Sequence, residues 1–278
     1  MNELKNSGLQ LYMQEGTNRI ALLAPLQYDA YAIKNVDQMM NLLRNAAGLN
    51  PDERFYDVYR GIRLPEDQAL LESRDYRYDI TVIMDGTVNG ECKKTSGHYH
   101  GYNPTRTNTY AEVYEVIEGR ALYVLQRADN FDTDPQQVKI SDLIFAVVEA
   151  GQAIIIPPNY GHCSINVGEG PLVFSNLAYA PCPVAYDSVK HYHGMSWYIM
   201  REEGKISAVP NPNYQDVPAP RFAKIRENPH LGIQFGHPVY NAYRENPQAF
   251  DFLGNPDPYV DEIMSMLDFK TTLEEILK

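Results

Sequence analysis

Two histidines separated by one residue mark the part of the chain with the clearest chemical potential. They are His98 and His100, and the chain then continues to Glu112 at the start of the strand-like run EVYEVIEG. A third histidine, His162, follows the pair Pro157–Pro158. Residues two apart on a strand share a face, so His98 and His100 are predicted to point the same way. Three imidazoles and one carboxylate suit a divalent transition metal that keeps open coordination positions.

The composition limits the classes of function. The chain has 278 residues, 44% of them hydrophobic, and a formal net charge of −12, which indicates a globular protein with a buried core. A negative field of this size repels nucleic acid and anionic membranes, so neither is an expected partner. The three scattered cysteines predict no disulfide framework. No apolar run reaches the about 20 residues of a membrane span, and no signal-peptide core is evident, so a cytoplasmic protein is expected.

The middle of the chain predicts β-structure. From Tyr76 onwards, short runs rich in Val, Ile, Tyr and Leu are separated by Gly, Pro and Asn, as in a sandwich or barrel. The repetition of short antiparallel strands favours a jelly roll. The sequence EGR around Gly119 is typical of a hairpin between two of these strands.

Three segments are expected along the chain. Residues 1–75 are predicted to form an N-terminal extension with short helices, at Val36–Gly48 and after Pro65. Residues 76–214 are predicted to form the β-barrel domain. Residues 215–278 are expected to be a C-terminal extension with short helices packed on the barrel.

Two motifs resemble those of the cupin superfamily. The run GQAIIIPPNYGHCSIN has the spacing of the second cupin motif, and His98-x-His100 with Glu112-x6-Gly119 meets the first. The gap between His100 and Glu112 is longer than usual and is expected to form a loop that reshapes the sugar end of the pocket. The runs KTSGHYH, AEVYEVIEG and IPPNYGHCSIN resemble the cupin-type glucose-6-phosphate isomerases of archaea and some bacteria, and the resemblance covers roughly residues 78–214.

This resemblance implies an all-β cupin double-stranded β-helix, a jelly-roll barrel, and an enzyme of glycolysis and gluconeogenesis. The enzyme would interconvert glucose 6-phosphate and fructose 6-phosphate as a homodimer. It would hold one divalent metal per subunit, with iron(II) expected and manganese, zinc or nickel as alternatives. The family's metal ligands match His98, His100, Glu112 and His162. Its substrate-binding positions match Thr81, Thr95, Gly97, Tyr114 and Tyr179.

One position departs from the resemblance. The family often carries a histidine near the sugar, followed by a tyrosine, but Ala185, Tyr186 and Asp187 occupy this region here. His191 or His193 would replace that histidine only if the loop between them and the barrel is repositioned. The resemblance therefore does not assign ring opening to a histidine in this region of the chain.

The implied reaction has two possible routes. In an enediol route a carboxylate close to C2 of the sugar serves as the base, and Glu112 is the nearest candidate. A bound cation lowers the pKa of Glu112 and so makes it a weak base. A direct hydride shift between two polarised oxygens needs no base, and the sequence leaves both routes open. Tyr114 shares the face of Glu112 and is expected to point into the barrel, either towards the substrate or as a core aromatic.

Several charged residues lie close to the motifs in the sequence. Lys93, Lys94 and Arg106 could add positive charge near the expected phosphate donors, but the two lysines are predicted to be solvated at a strand end. Glu115 and Glu118 are likewise expected to face solvent. Neutral donors in a loop are sufficient to form a concavity that binds an anion.

Two other classes of function fit the same residues. One is a different cupin metalloenzyme, such as a dioxygenase or an isomerase of another sugar phosphate. The other is a non-catalytic cupin that binds a sugar phosphate. Thr81, Thr95 and Gly97 favour a sugar-phosphate enzyme over an oxygenase, because an enzyme that acts on an uncharged substrate does not need phosphate donors.

Overall fold

Twenty strands and six short α-helices form the regular structure of residues 1–277, the part of the chain that this computed structural model describes. The strands are β1 Asn2–Glu3, β2 Leu11–Gln14, β3 Arg19–Leu22, β4 Ala30–Asn35, β5 Arg54–Arg60, β6 Tyr76–Ile83, β7 Thr87–Val88, β8 Glu91–Cys92, β9 Tyr99–His100, β10 Glu112–Glu118, β11 Arg120–Arg127, β12 Asp142–Glu149, β13 Ala153–Ile156, β14 Tyr160–Asn166, β15 Leu172–Tyr179, β16 Val184–Ala185, β17 Trp197–Glu202, β18 Lys205–Pro210, β19 Arg221–Ile225 and β20 Leu267–Asp268. The α-helices are α1 Val36–Met39, α2 Gln68–Glu72, α3 Asp187–His191, α4 Val239–Glu245, α5 Val260–Ser265 and α6 Leu273–Leu277. Short 3-10 helices lie at Lys5–Ser7, Met40–Leu42, Pro65–Asp67, Pro229–Leu231, Pro247–Leu253 and Asp257–Tyr259.

Two mostly antiparallel sheets form the barrel. One has the strand order β13-β10-β15-β6-β5-β4, and the other has the order β14-β11-β12-β19-β20. Aromatic side chains from the two sheets meet between them, with the rings of Tyr114 and Tyr123 5.5 Å apart. The strands predicted between Tyr76 and Tyr179 are all present. The predicted all-β cupin barrel is therefore confirmed.

The turn at Gly119 joins the two sheets and is not the predicted hairpin. Strand β10 pairs with β13 and β15, whereas β11 pairs with β12 and β14. Gly119 has a φ of +89°, and a Cβ atom there would lie 2.9 Å from the carbonyl oxygen of Pro171. Glycine is therefore needed at this corner. The local sequence shows a turn, but it does not show which strands each arm will pair with.

The N-terminal segment contributes strands as well as helices. Strands β4 and β5 extend the six-stranded sheet next to β6. The helix predicted over Val36–Gly48 is much shorter, because the helical backbone ends at Leu42 and Leu43 is extended. The amide of Arg44 then donates to the Glu91 carboxylate at 2.7 Å, which fixes the chain in this non-helical path. The helix expected after Pro65 is confirmed as α2.

The C-terminal segment covers the outer face of the six-stranded sheet. Side chains of that face, such as Ile80 and Val113, form one core with Val239, Tyr240 and neighbouring residues of the C-terminal segment. The two short helices predicted near the end are present as α5 and α6, while Lys278 lies outside the described residues. The division of the chain at residues 75 and 214 stays a prediction. Among residues 1–277, every helix is too short or too polar to cross a membrane.

The prediction that Glu115 faces solvent is wrong. Its side chain points away from the barrel interior, but the C-terminal segment covers it and leaves the residue only 2% exposed. The backbone N–H of Val239 donates to its carboxylate at 3.1 Å, and the Ser175 hydroxyl lies 3.4 Å away. Burial raises the pKa of Glu115 to about 8, and these two donors oppose the shift. Contacts with residues so distant in sequence are not visible in a local pattern.

We predict that Glu115→Gln removes a loss of stability at high pH. The folded-state pKa of Glu115 is raised from 4.5 to about 8, so the folded protein binds this proton more tightly than the unfolded chain does. The contribution to the free energy of unfolding is full below the unfolded pKa and falls as the pH rises through the folded pKa, by at most about 1.4 kcal/mol per pH unit. Urea unfolding of the wild type and the variant, at several pH values from 4.5 to above 8, measures this change in the free energy of unfolding.

The variant should gain stability relative to the wild type as the pH rises. Glu118→Gln is the matched control, because Glu118 lies on the same strand but is partly exposed. A difference between wild type and Glu115→Gln that does not change with pH would contradict the prediction.

Candidate metal centre and substrate cavity

Four side chains from three parts of the chain converge in the barrel. His98 precedes β9, His100 ends it, Glu112 begins β10 and His162 lies in β14. One potential ligand atom from each residue lies within 4.8 Å of the others. Backbone hydrogen bonds in both directions between His98 and His162, at 3.1 and 2.9 Å, hold the two histidine-bearing segments side by side. The structure thus brings together all four residues that the sequence selected as ligands.

The tautomer of His100 directs a ring lone pair at the cluster. Its Nδ1–H donates to the Tyr110 carbonyl oxygen at 2.9 Å, so the lone pair of the neutral ring is on Nε2. That Nε2 lies 3.1 Å from Oε2 of Glu112 and 3.2 Å from Nε2 of His98. Glu112 Oε2 is buried and has no hydrogen-bond partner among the described residues. Imidazole nitrogens and a carboxylate oxygen that converge in this way are a donor set that fits a divalent metal.

The protonation states of the cluster agree with ligation. Burial lowers the pKa of His98 well below its usual range, with the neighbouring histidines adding to the effect, and burial also lowers that of His162. Burial would raise the pKa of Glu112, but the neighbouring imidazoles of His100 and His162 outweigh it and hold the pKa well below its usual range. For His100, burial lowers the pKa but the contact with Glu112 raises it by more. An ionised Glu112 beside the neutral imidazoles of His98 and His162 is suited to bind a metal, and ligation by His100 also requires its neutral form.

Two further polar groups orient the cluster. Asn176 donates its side-chain N–H to Oε1 of Glu112 at 2.7 Å, which leaves Oε2 directed at the imidazoles. The Tyr114 hydroxyl lies 3.0 Å from Nε2 of His162, with either group as the donor. Tyr114 therefore points into the barrel, as its position two residues after Glu112 predicts. Asn176 was missed by the sequence analysis, although the register places it opposite Tyr114 as a polar residue in an apolar strand.

A cavity of about 160 Å³ opens beside the cluster. His98, His100 and Glu112 line it, while His162 lies behind them and is 1% exposed. Four of the residues expected to contact substrate also line this cavity, namely Thr81, Thr95, Tyr114 and Tyr179. The candidate ligands and most of the candidate substrate residues therefore share one space.

Gly97 is the exception among the expected substrate residues. It lies in the loop between Thr95 and His98 but does not line the cavity. Its φ is +72°, and a Cβ atom there would lie 3.0 Å from the sulfur of Met195. The glycine is thus explained by the path of the loop that carries His98.

The two threonines are not equivalent. The Thr81 hydroxyl has no hydrogen-bond partner within residues 1–277, although the residue is only 5% exposed and borders the cavity. The Thr95 hydroxyl accepts the backbone N–H of Ser164 at 3.1 Å, so one of its lone pairs is engaged. Thr81 is therefore the hydroxyl more available to a ligand.

Tyr186 occupies the region where the family resemblance expects a histidine. Its ring lies 5.4 Å from that of His98 and lines the cavity. Ala185 belongs to the short strand β16, whereas His191 and His193 do not border the cavity. Among the described residues, no histidine outside the metal cluster lines this space. A phenol thus stands near the position of the family's imidazole.

The loop of residues 101–110 does not reshape the cavity wall. None of its side chains lines the cavity; instead, Asn103 and Asn108 donate to the Asp257 carboxylate at 2.8 and 2.9 Å. The Thr109 hydroxyl accepts the N–H of Asn159 at 2.6 Å. The insertion ties the barrel to the C-terminal segment, which corrects the expectation from sequence.

The lysines near the motif are paired away from the cavity. Lys93 contacts Glu53 at 2.6 Å, Lys94 forms an ion pair with Glu91, and the exposed Arg106 pairs with Asp132. Both lysines are buried rather than solvated as expected, since they lie 6% and 4% exposed. They nevertheless bind carboxylates of the protein, so their charge is already neutralised.

Comparison with known proteins assigns the chain to a family. Residues 32–217 match the sequence model of glucose-6-phosphate isomerase. The chain belongs to the glucose-6-phosphate isomerase family. The glucose-6-phosphate isomerase of Thermococcus litoralis is 25% identical over 196 residues, covering 68% of this chain and 94% of that protein. The glucose-6-phosphate isomerase of Pyrococcus furiosus is 27% identical over 200 residues, covering 68% of this chain and 95% of that protein.

A bacterial relative extends the comparison beyond archaea. The putative glucose-6-phosphate isomerase 1 of Rhizobium meliloti is 24% identical over 182 residues, covering 62% of this chain and 77% of that protein. The matched family region begins within β4, so it includes the strands β4 and β5 of the N-terminal segment. It also contains all four residues of the metal cluster.

We predict that Glu112→Ala and His162→Ala each weaken metal binding. Removing one of four ligands should cost at least the roughly 10- to 100-fold loss of affinity that follows loss of a residue supporting a ligand. Metal content after loading with iron(II) or manganese and desalting, measured by elemental analysis, checks this. His230→Ala is the control, because His230 is exposed and pairs with Glu262 far from the cluster. Wild-type metal content in either ligand variant would refute the assignment.

Proposed function

We propose that the protein is a metal-dependent isomerase that interconverts glucose 6-phosphate and fructose 6-phosphate. The observation that carries the proposal is the meeting, in one cavity, of the His98, His100 and Glu112 side chains with the unpartnered Thr81 hydroxyl. Membership of the glucose-6-phosphate isomerase family supports the reaction and the substrate. The relatives from Thermococcus litoralis and Pyrococcus furiosus are both named glucose-6-phosphate isomerase.

A divalent metal is the group that the cluster would hold. His98, His100, His162 and Glu112 would be its ligands, because one potential ligand atom from each lies within 4.8 Å of the others. When bound, the metal would supply Lewis-acid polarisation of the two neighbouring oxygens at C1 and C2 of the sugar. Iron(II) is our first expectation, with manganese, zinc and nickel as alternatives.

The protein's own residues limit how the hydrogen moves between C1 and C2. Glu112 is the carboxylate at the reacting end of the cavity, but its depressed pKa makes it a weak base. Asn176 further engages its Oε1. In an enediol route Glu112 would accept the proton, whereas a hydride shift requires no base. Tyr114 stays protonated, since burial raises its pKa well above the usual range, and its hydroxyl is available as a donor.

The substrate phosphate would lie at the Thr81 end of the cavity. Thr81 and Thr95 line this part of the cavity and would offer their hydroxyl groups to the phosphate. Tyr179 and Tyr186 form the aromatic wall against which the sugar carbons would pack. A dioxygenase or a non-catalytic binding protein would have less need of this combination.

The decisive test is a coupled assay on purified protein. Fructose 6-phosphate is supplied and glucose 6-phosphate is detected, with chelator-treated protein compared with protein reloaded with iron(II), manganese or zinc. We expect activity that is lost on chelation, by at least about 100-fold, and that returns with metal. Fully loaded protein without activity would discard this substrate and favour another sugar phosphate or O₂ chemistry.

We also propose that the protein is a homodimer. Strand β4 is the outermost strand of the six-stranded sheet, so one of its edges has no partner strand among the described residues. Such an edge is commonly covered by a second chain. Light scattering at micromolar concentration should give about twice the chain mass of 31.6 kDa. A monomer mass under these conditions would refute the proposal. The cytoplasmic location stays a prediction from sequence.

A further inference from the structure

Three rows of residues cross the sheet that forms one wall of the cavity. Strand β15 lies between β6 and β10, and its register with both strands sets the rows. The first row contains Arg77, Ala178 and Glu112, the second contains Asp79 and Asn176, and the third contains Thr81. All six residues line the cavity. Successive rows are two residues apart along β6, which corresponds to about 6–7 Å.

The order of the rows matches the order of groups in a hexose phosphate. The reacting carbons C1 and C2 belong at Glu112, in the first row, and the phosphate on C6 belongs at Thr81, in the third. The carbons between them carry hydroxyl groups, and these groups would face the second row. The functions described so far assign no residue to these hydroxyls.

The charges of this part of the cavity are balanced. The arginines and carboxylates that line it are Arg60, Arg77, Asp79 and Glu112, two of each sign, and no lysine borders it. There is thus no excess positive charge for an anion. A neutral group that both donates and accepts hydrogen bonds, such as a hydroxyl, suits this environment better.

Arg77 supplies the donors. Its Nε–H donates to both carboxylate oxygens of Asp79, at 2.9 and 3.0 Å, so the guanidinium group leans from the first row towards the second. The backbone N–H of Gly61 also donates to Asp79, whose side chain is only 2% exposed, so this anchor is fixed. The two terminal nitrogens of Arg77 form no hydrogen bond within residues 1–277 and remain available to a ligand.

Asn176 supplies the acceptor. Its side-chain N–H is engaged by Glu112 Oε1 at 2.7 Å, whereas its Oδ1 accepts no hydrogen bond from the described residues. Asn176 lies directly opposite Asp79 in the sheet, so its free oxygen is close to the group that holds Arg77. Next to it, the small side chain of Ala178 separates Arg77 from Glu112, and these two residues form no ion pair. A ligand therefore has room over Ala178.

We propose that Arg77 and Asn176 form a hydroxyl-binding subsite in the middle of the cavity, which takes the sugar hydroxyls between the reacting carbons and the phosphate. The terminal N–H groups of Arg77 donate to a hydroxyl oxygen, and a hydroxyl hydrogen is donated to Asn176 Oδ1. Asp79 acts as the positioning residue, because it orients Arg77 without contacting the ligand. The assignment of the hydroxyls to a hexose phosphate rests on the proposed function.

The test compares two ligands by calorimetry on the intact protein loaded with manganese(II). Sorbitol 6-phosphate carries a chain of hydroxyls and a phosphate, whereas propyl phosphate carries the phosphate alone. Arg77→Gln should weaken the binding of sorbitol 6-phosphate by about tenfold, as expected for loss of a charged hydrogen bond, and should leave that of propyl phosphate within twofold of wild type. Arg106→Gln is the matched control, because Arg106 is exposed and pairs with Asp132 outside the cavity.

Ala178→Leu provides a second variant that leaves Arg77 and Asp79 in place. The larger side chain should occupy the space between Arg77 and Glu112 and weaken sorbitol 6-phosphate binding by at least about tenfold, with unchanged metal content. Ala208→Leu is its control, since Ala208 lies on β18 outside the cavity. Circular dichroism verifies the fold, and Ala178→Leu decides the question if Arg77→Gln does not fold.

Three results would overturn the proposal. The first is equal weakening of both ligands in Arg77→Gln, which would indicate a phosphate contact. The second is an affinity for sorbitol 6-phosphate within twofold of wild type in a folded Arg77→Gln or Ala178→Leu variant. The third is a wild-type protein that binds the two ligands equally well.

The isomerase assay separates this inference from the proposed function. Arg77-dependent binding of sorbitol 6-phosphate without isomerase activity would support the subsite and discard the isomerase function. Isomerase activity together with sorbitol 6-phosphate binding that neither variant changes would discard the subsite and leave the function standing.

Discussion

A buried carboxylate surrounded by imidazoles is the constraint on which the site depends. Glu112 is 4% exposed, and an isolated charge in such a place would cost several kcal/mol. Asn176 compensates one of its oxygens, and the other faces the nitrogen atoms of His100 and His162 at 3.1 and 3.4 Å. A positive charge at the imidazoles, either a protonated His100 or a metal ion between these atoms, would complete the compensation. The buried carboxylate therefore makes this cluster favourable for a cation.

The fold serves this constraint by fixing each ligand through backbone pairing. His162 lies inside a fully buried strand, and His98 is bonded to it through reciprocal main-chain hydrogen bonds. Glu112 is held by two neighbouring strands, β13 and β15. The C-terminal segment then buries the outer face of the same sheet, so residues such as Val113 pack on one side while Glu112 and Tyr114 face the cavity. Ligand positions set in this way need little rearrangement to receive a metal.

The sequence predicted the parts that depend on local pattern. Alternation of apolar residues indicated the strands from β6 to β15, and the spacing of His98, His100 and His162 within motif-like runs indicated the cluster. It could not predict which strands pair, so the corner at Gly119 was taken for a hairpin. The burial of Glu115 was missed because its cover comes from Val239, which is 124 residues further along the chain.

Arg60 and Arg77, which line the cavity, also show that the sequence does not reveal which strands lie side by side. The alternation of Arg77, Asp79 and Thr81 is visible in the sequence, but Arg60 joins them only because β5 lies beside β6. The sequence of the N-terminal segment predicts short helices, and so it does not indicate that strand residues of this segment reach the cavity. Lys93 and Lys94 are closer to the motif in sequence, yet they bind Glu53 and Glu91 instead. Proximity along the chain is a poor guide to which charges reach a cavity.

The most direct test of the central claim is X-ray absorption spectroscopy of the protein loaded with one manganese(II) or iron(II) per chain. We expect a first shell of nitrogen and oxygen atoms only, with the outer-shell scattering of three imidazoles, because the cluster consists of three histidines and one carboxylate. The imidazole count should fall to two in His162→Ala. A sulfur atom in the first shell, or fewer than three imidazoles in the wild type, would contradict this account of the metal centre.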